Sequence, residues 1–224
     1  MFSIAGIDLL EQELLNNERT LLEILLQDKT TKKNIIWATD DYAELGEPYS
    51  FKKEILPELV TGEQDSLIQP RVEKALEHQT NRTRDKAEVF TPSWICNAQN
   101  NLVDEQWFGR KDVFNIQKEM SWKATADKIA FPDDRQHTWQ KYVDAQRLEI
   151  SCGEAPYLVS RYDTVTGETI PISQRIGLLD RKLRVIGENT DTEEEWLTWT
   201  KRAFQSVYGF EYQGDSLLLA RDNL

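Results

Sequence analysis

The chain has 224 residues, room for one sizeable domain or a domain with an extension, and 39 Asp and Glu against 27 Lys and Arg leave a formal net charge of −12. Phosphate affinity comes largely from Lys and Arg, so this balance argues against tight nucleic-acid binding by the surface as a whole. The two cysteines, Cys96 and Cys152, supply neither a disulfide framework nor a zinc spacing, and no metal site is expected.

The N-terminal MFSIAGIDLLEQELL lacks a basic region and an uninterrupted apolar core, so it does not read as a signal peptide. No apolar run reaches the length of about eighteen residues that a membrane span needs. A cytoplasmic protein without membrane attachment is the expectation. Leu10, Leu14, Leu21 and Leu25 fall at helical spacing, which predicts a helix over 8–27 with Asp8 as its cap. NIIWAT, 34–39, predicts a buried strand from its branched and aromatic content. Prolines and a glycine interrupt regular structure over 45–58, and a helix is expected over about 70–79. Arg71, Lys74, Arg82, Arg84 and Lys86 make a local basic stretch. It reads first as a solvated helix face and loop; it is also the place where DNA would be held if the chain binds DNA.

Thr91 and Pro92 predict a helix start, with Ile95, Ala98 and Leu102 on one face. Residues 111–133 show no clear period. A helix around 135–146 carries Trp139, Tyr142 and Val143, and the strand RLEIS follows at 147–151. Pro156 predicts another helix, over PYLVSRYD, and 163–172 a loop. Ser173 is placed as the cap of a helix running to about Ile186, with Gly187 as its stop. Thr192 and Glu195 form a capping box before Trp196 and Trp199. VYGFEY then reads as a strand, and GDSLLLARDNL as a helix. His78 and His137 have no ligand spacing near them, and Ser151, Ser160 and Ser173 lack a nucleophile elbow.

Three pieces stand in order: Phe90-Thr91-Pro92 at a helix start, EISCGEAPYL over 149–158 between strand and helix, and GFEYQGDSLLLARDNL from Gly209, with Glu211 at a strand end. Together they resemble the adenine-specific DNA methyltransferases of restriction-modification systems, the restriction endonuclease subunit M type, over about residues 87–224. The resemblance implies an α/β, helix-rich chain. Residues 1–86 would form a helical N-terminal region, and 87–224 a partial Rossmann-like region binding S-adenosylmethionine (SAM). It implies that Phe90, Thr91 and Pro92 close over the methionine end of SAM. Glu149, Ser151, Gly153 and Ala155 would form the cofactor loop, and Glu211 would hold the ribose hydroxyls. The physics agrees, because a strand-turn-helix presents backbone N–H groups and a positive helix end to an anionic group.

The sequence also departs from that pattern. Glu149 replaces an Asp, Glu154 a small residue, and Ala155 the second glycine. A methyl group at 155 resists positive φ, and Glu154 adds negative charge near a site meant for a carboxylate. The family's catalytic Asp/Asn-Pro-Pro-Tyr/Phe is not found. Gly46-Glu47-Pro48-Tyr49 is nearest and reads as a proline turn, so the catalytic residues stay unknown. The family's sheet has more strands than the two visible after residue 146. Three expectations follow: the natural protein continues past Leu224, early segments such as NIIWAT complete the sheet, or an open edge is buried against a protein partner or a second copy. The alternative function is a non-enzymatic acidic interaction protein on a methyltransferase-derived scaffold, binding or inhibiting a nucleic-acid enzyme.

Overall fold

A computed structural model describes residues 11–17, 19–74, 82–84 and 89–224. In chain order the elements are α1 (Glu11–Asn17), α2 (Arg19–Leu26), α3 (Ser93–Phe108), β1 (Asn115–Gln117), β2 (Trp122–Ala124), α4 (Trp139–Asp144) and β3 (Arg147–Ile150). Then follow α5 (Leu178–Asn189), α6 (Glu193–Gln205), β4 (Val207–Phe210) and α7 (Gly214–Asn223). The chain is thus mixed helix and small sheets, as expected for an α/β class. None of the described helices is long and apolar enough to cross a membrane.

The chain divides into two compact units, and the division crosses the expected boundary at residue 86. Unit 1 takes 1–89, 151–154 and 211–224; unit 2 takes 90–150 and 155–210. In unit 1, Leu14, Leu22, Leu26, Trp37, Ile55, Ile68 and Leu218 form the heart of the apolar core. The expected single helix over 8–27 is two helices, α1 and α2; Asp8 and Leu10 lie outside the described residues. NIIWAT is buried at Ile35, Trp37 and Thr39 but is not a strand. It makes isolated bridges, Asn34 to Gln27 and Ile36 to Glu54, and Ala38 at φ 51° turns the backbone out of the extended conformation. Gly214, at the start of α7, donates its N–H to Trp37 O at 2.8 Å. A Cβ there would lie 2.0 Å from Ile36 O, so only glycine permits this approach. Gly46-Glu47-Pro48-Tyr49 is a structural turn: Pro48 O accepts from Trp37 Nε1 at 3.2 Å, and the Tyr49 ring packs 5.5 Å from that of Trp37.

In unit 2 the expected amphipathic face of α3 is reversed. Leu102 and Val103 are exposed, while Asn97, Asn100 and Asp104 are buried. The cause is Arg181 of α5. Its fully buried guanidinium pairs with Asp104 and donates to Asn97 Oδ1 and Asn101 Oδ1 at 2.9 Å each. A buried charge must be paired and hydrogen-bonded, and that demand selects the polar face. The segment 111–133 holds a short antiparallel hairpin, with Ile116 opposite Lys123, which no sequence period announced. The helix expected from Pro156 is a series of turns. Tyr157 O and Leu158 O accept the free N–H groups of Leu178 and Leu179 at the start of α5, at 2.8 and 2.9 Å, which commits this segment to capping α5. Ser173 lies in a 3₁₀ turn and does not cap α5. Gly177 does, with Asp180 accepting its N–H at 3.0 Å, and α5 runs through Gly187 to Asn189. Thr192 caps α6 as expected.

β3 and β4 pair in parallel, Leu148 beside Tyr208 and Ile150 beside Phe210. Their crossover carries α5 and α6, the connection a parallel pair requires.

Candidate functional site

The eight residues expected to hold SAM are shared between the two units. Unit 2 contains Phe90, Thr91, Pro92, Glu149 and Ala155. Pro92, at φ −54° and ψ 143°, occupies the cap position itself and Ser93 is the first helical residue, so the expected start is displaced by one. The cap's side-chain work is done by Asp163, whose Oδ2 accepts from Ser93 N at 2.7 Å. Burial opposes the Asp163 charge, but the N–H groups of Ser93, Thr166 and Val165 outweigh it and hold the carboxyl below its usual range. Thr91 contributes its carbonyl, which receives Thr164 Oγ1 at 3.3 Å and the Cys96 thiol at 3.5 Å. Burial pushes that thiol up to about 12, so it is inert as a nucleophile. Glu149 is buried on β3 opposite Gly209.

Unit 1 contains Ser151, Gly153 and Glu211. Ser151, Gly153 and Ala155 all have positive φ, 54°, 53° and 60°, and the residues between them do not. Alternation of hand along a short loop turns successive backbone N–H groups toward a common concavity, the arrangement that receives anions. Ala155 therefore adopts the left-handed conformation its methyl group opposes. That side chain is buried, so it is held by packing.

Glu211, immediately after β4, closes onto this loop. Its Oε2 accepts from Gly153 N at 2.8 Å, and its Oε1 accepts from Tyr212 N at 2.8 Å and Gln213 N at 3.1 Å. The loop and the acid expected to share one ligand are thus bonded to each other. A carboxylate offers about four acceptor positions, so one remains for a ligand hydroxyl. Glu154 does not face a ligand with an unbonded carboxylate: it is buried, and its Oε1 accepts from Arg71 N at 2.6 Å.

Two members of the basic stretch are not solvated, while Arg84 is exposed. Lys74 and Arg82 are directed into unit 1, where both meet the fully buried Asp215 of α7, at 3.2 and 2.9 Å; Arg82 also pairs with Asp41 at 2.6 Å. Tyr42 Oη donates to Asp215 Oδ2 at 2.8 Å. Burial alone would raise the Asp215 pKa, but the Lys74 and Arg82 charges more than offset it and hold the carboxyl well below the usual range. A DNA contact through Lys74 or Arg82 would have to break this cluster. Lys86 and His78 lie outside the described residues. Sequence reasoning missed Asp215; its place in the first turn of a helix suggested no more than a favourable charge at a helix start.

No protein-family model matches the chain, and neither does any curated protein or solved structure.

Proposed function

We propose that the chain is a SAM-binding, methyltransferase-like protein of the restriction-modification type. The observation that carries the reading is the 2.8 Å bond from Gly153 N to Glu211. It joins the turn after the first strand of a parallel pair to the acid at the tip of the second, the combination that would receive a nucleoside cofactor in a Rossmann-like arrangement. The residues are compatible with the cofactor. The loop alternates in hand as anion-receiving loops do, although its Gly153 N–H is given to Glu211; Ala155 buries its methyl group, Glu154 is already bonded within unit 1, and Glu211 keeps an acceptor position. SAM would bring an electrophilic methyl group. What this chain supplies is binding: Ser151 and Gly153 shape the loop, Glu211 orients a ribose hydroxyl, and Phe90, Thr91 and Pro92 belong to the same set by resemblance. No residue of this chain is assigned to the methyl transfer itself.

Calorimetric titration with SAM tests the reading. The wild-type chain should bind, and Glu211→Ala should weaken binding by about tenfold or more, the effect of removing a charged hydrogen-bond acceptor. Glu211→Gln keeps an acceptor for the loop N–H and should lose less. Absence of binding by a folded wild-type chain, or binding indifferent to both changes, would sink the proposal.

One observation favours the second reading, an acidic interaction protein. Leu148, Ile150, Tyr208 and Phe210 lie on one face of the parallel pair and are 52, 73, 44 and 63% exposed. Parallel sheets normally have both faces covered. A chain that fails to bind SAM, and whose association state responds to Ile150→Glu, would favour this reading over the first.

A further inference from the structure

Unit 2 contains two neighbouring cavities, of about 510 and about 470 Å³, which share Trp122 and Gln174 in their linings. Each volume lies within the range of small-molecule sites. The chambers differ in chemistry. The first is lined by Arg175, Arg181 and Arg184 with Asp180 and Glu188; Arg181 is paired with Asp104 and Arg184 with Glu188, so Arg175 is the arginine of the three without an ion-pair partner among the described residues. The second is lined by Trp94, Trp122, Met120 and Ile170 together with the carboxylates Asp163 and Glu168, so an anion is assigned to the first.

Two donors at these cavities are unused among the described residues. Gln174 Oε1 accepts from Ala124 N at 3.1 Å, and Gln174 O accepts from Trp122 Nε1 at 2.8 Å. The first bond engages the amide oxygen and leaves Nε2 as a donor with no hydrogen bond of its own. Arg175 lines the first chamber with no hydrogen bond from its guanidinium, whose Nε is buried without a partner, and its charge is open to an entering anion. Arg181 and Arg184, by contrast, are fully engaged with Asp104, Glu188 and backbone carbonyls. Flat aromatic walls on one side and unsatisfied donors on the other call for a ligand that joins a planar ring to an anion.

We infer that these cavities together bind a nucleotide. The base stacks in the apolar chamber on Trp122 and Trp94, and its phosphate enters the arginine-lined chamber and accepts from the terminal nitrogens of the Arg175 guanidinium and from Gln174 Nε2. Base–indole stacking tolerates any base, so the site selects for ring and phosphate. The phosphate belongs either to a free nucleotide or to a single strand. The apolar chamber shares Pro92 with the residues assigned to SAM, but neither chamber involves Glu211 or the loop at 151–154, so the two proposals are tested separately.

The test is titration of the full chain with dAMP and with a short single-stranded oligodeoxyadenylate, followed by tryptophan fluorescence and calorimetry. Saturable binding is expected. Arg175→Met and Gln174→Glu should each weaken it by about tenfold or more, the second by placing a carboxylate beside the phosphate. Gln174→Glu retains the acceptor for Ala124 N, so it remains informative if Arg175→Met fails to fold. Glu211→Ala should leave the affinity unchanged. Equal affinity for both probes identifies a free nucleotide, and binding of the oligomer alone identifies a strand. The inference is overturned if neither probe binds at millimolar concentration, if binding survives both cavity substitutions, or if Glu211→Ala abolishes it, since adenosine would then be entering the SAM loop.

Discussion

Ser151, Gly153 and Ala155 set the backbone of the loop, and they hold it by different means. Gly153 adopts positive φ without steric cost; Ala155 is held there by burial; Ser151 is exposed, with nothing apolar to lose. A left-handed residue with a side chain costs about 1–2 kcal/mol, and glycine's extra unfolded-state freedom costs about 0.5–1 kcal/mol. Ser151→Gly is therefore expected to stabilise the chain by roughly 0.5–1 kcal/mol, read as a raised denaturant midpoint. Gly153→Ala should destabilise it by about 1 kcal/mol. A lowered midpoint for Ser151→Gly would show that the serine's conformation is not strained. The glycine and the strand-end acid were legible as residues in the sequence, because the turn chemistry they require is local. Their hydrogen bond was not, because Gly153 and Glu211 are separated by α5 and α6. Glu154 shows the limit of local reading: next to a cofactor loop its charge looks like an obstacle, and the partner that removes the difficulty, Arg71 N, lies 83 positions away.

The helices and strands show which local signals survive tertiary contact. α6, with Thr192 as cap, and the β3–β4 pair follow periodicity and capping alone. α3 obeys its start signal to within a residue, yet faces opposite to its apolar stripe, because Arg181 required partners and the asparagines and Asp104 supplied them. The Pro156 segment is likewise turned to another task, its carbonyls capping the first turn of α5. These reversals locate the energy of unit 2 in a polar network. Tyr142 Oη also donates to Asp104 Oδ1 at 2.8 Å, so Arg181→Met leaves a buried carboxylate with one neutral donor. The expected cost is about 3–5 kcal/mol. Asp104→Asn in the Arg181→Met background should recover part of it, because the orphaned charge is gone. A double-mutant cycle on urea unfolding measures the coupling, and strict additivity would show that the two residues act separately.

At the scale of the whole chain, the two units carry buried charges of opposite sign, and these impose opposite responses to pH. In unit 2, burial and the nearby Arg147 charge push Lys182 down to about 7 from 10.5. Its ammonium donates to Ala145 O and Ser206 Oγ, with no carboxylate among its hydrogen-bond partners. The unfolded chain holds that proton up to about 10.5, whereas the folded chain releases it near 7, so the penalty is complete below pH 7 and disappears as pH rises to 10.5. In unit 1, Asp215 has the reverse linkage. Its folded pKa lies below the ordinary 3.8, so its contribution is present above that pH and is lost as the solution is acidified through the folded value. Stability measured by urea unfolding should therefore fall on acidification below about pH 4 and rise between about pH 7 and pH 9, above which the buried Cys96 thiol, raised from 9.0 to about 12, opposes the Lys182 slope. Lys182→Met should flatten the alkaline rise and leave the acid limb intact. Asp215→Asn should lower stability at neutral pH by about 3–5 kcal/mol, since it leaves Lys74 and Arg82 buried without their shared anion. An unchanged alkaline slope in Lys182→Met would mean that another group carries it, and would remove Lys182 from the account of unit 2.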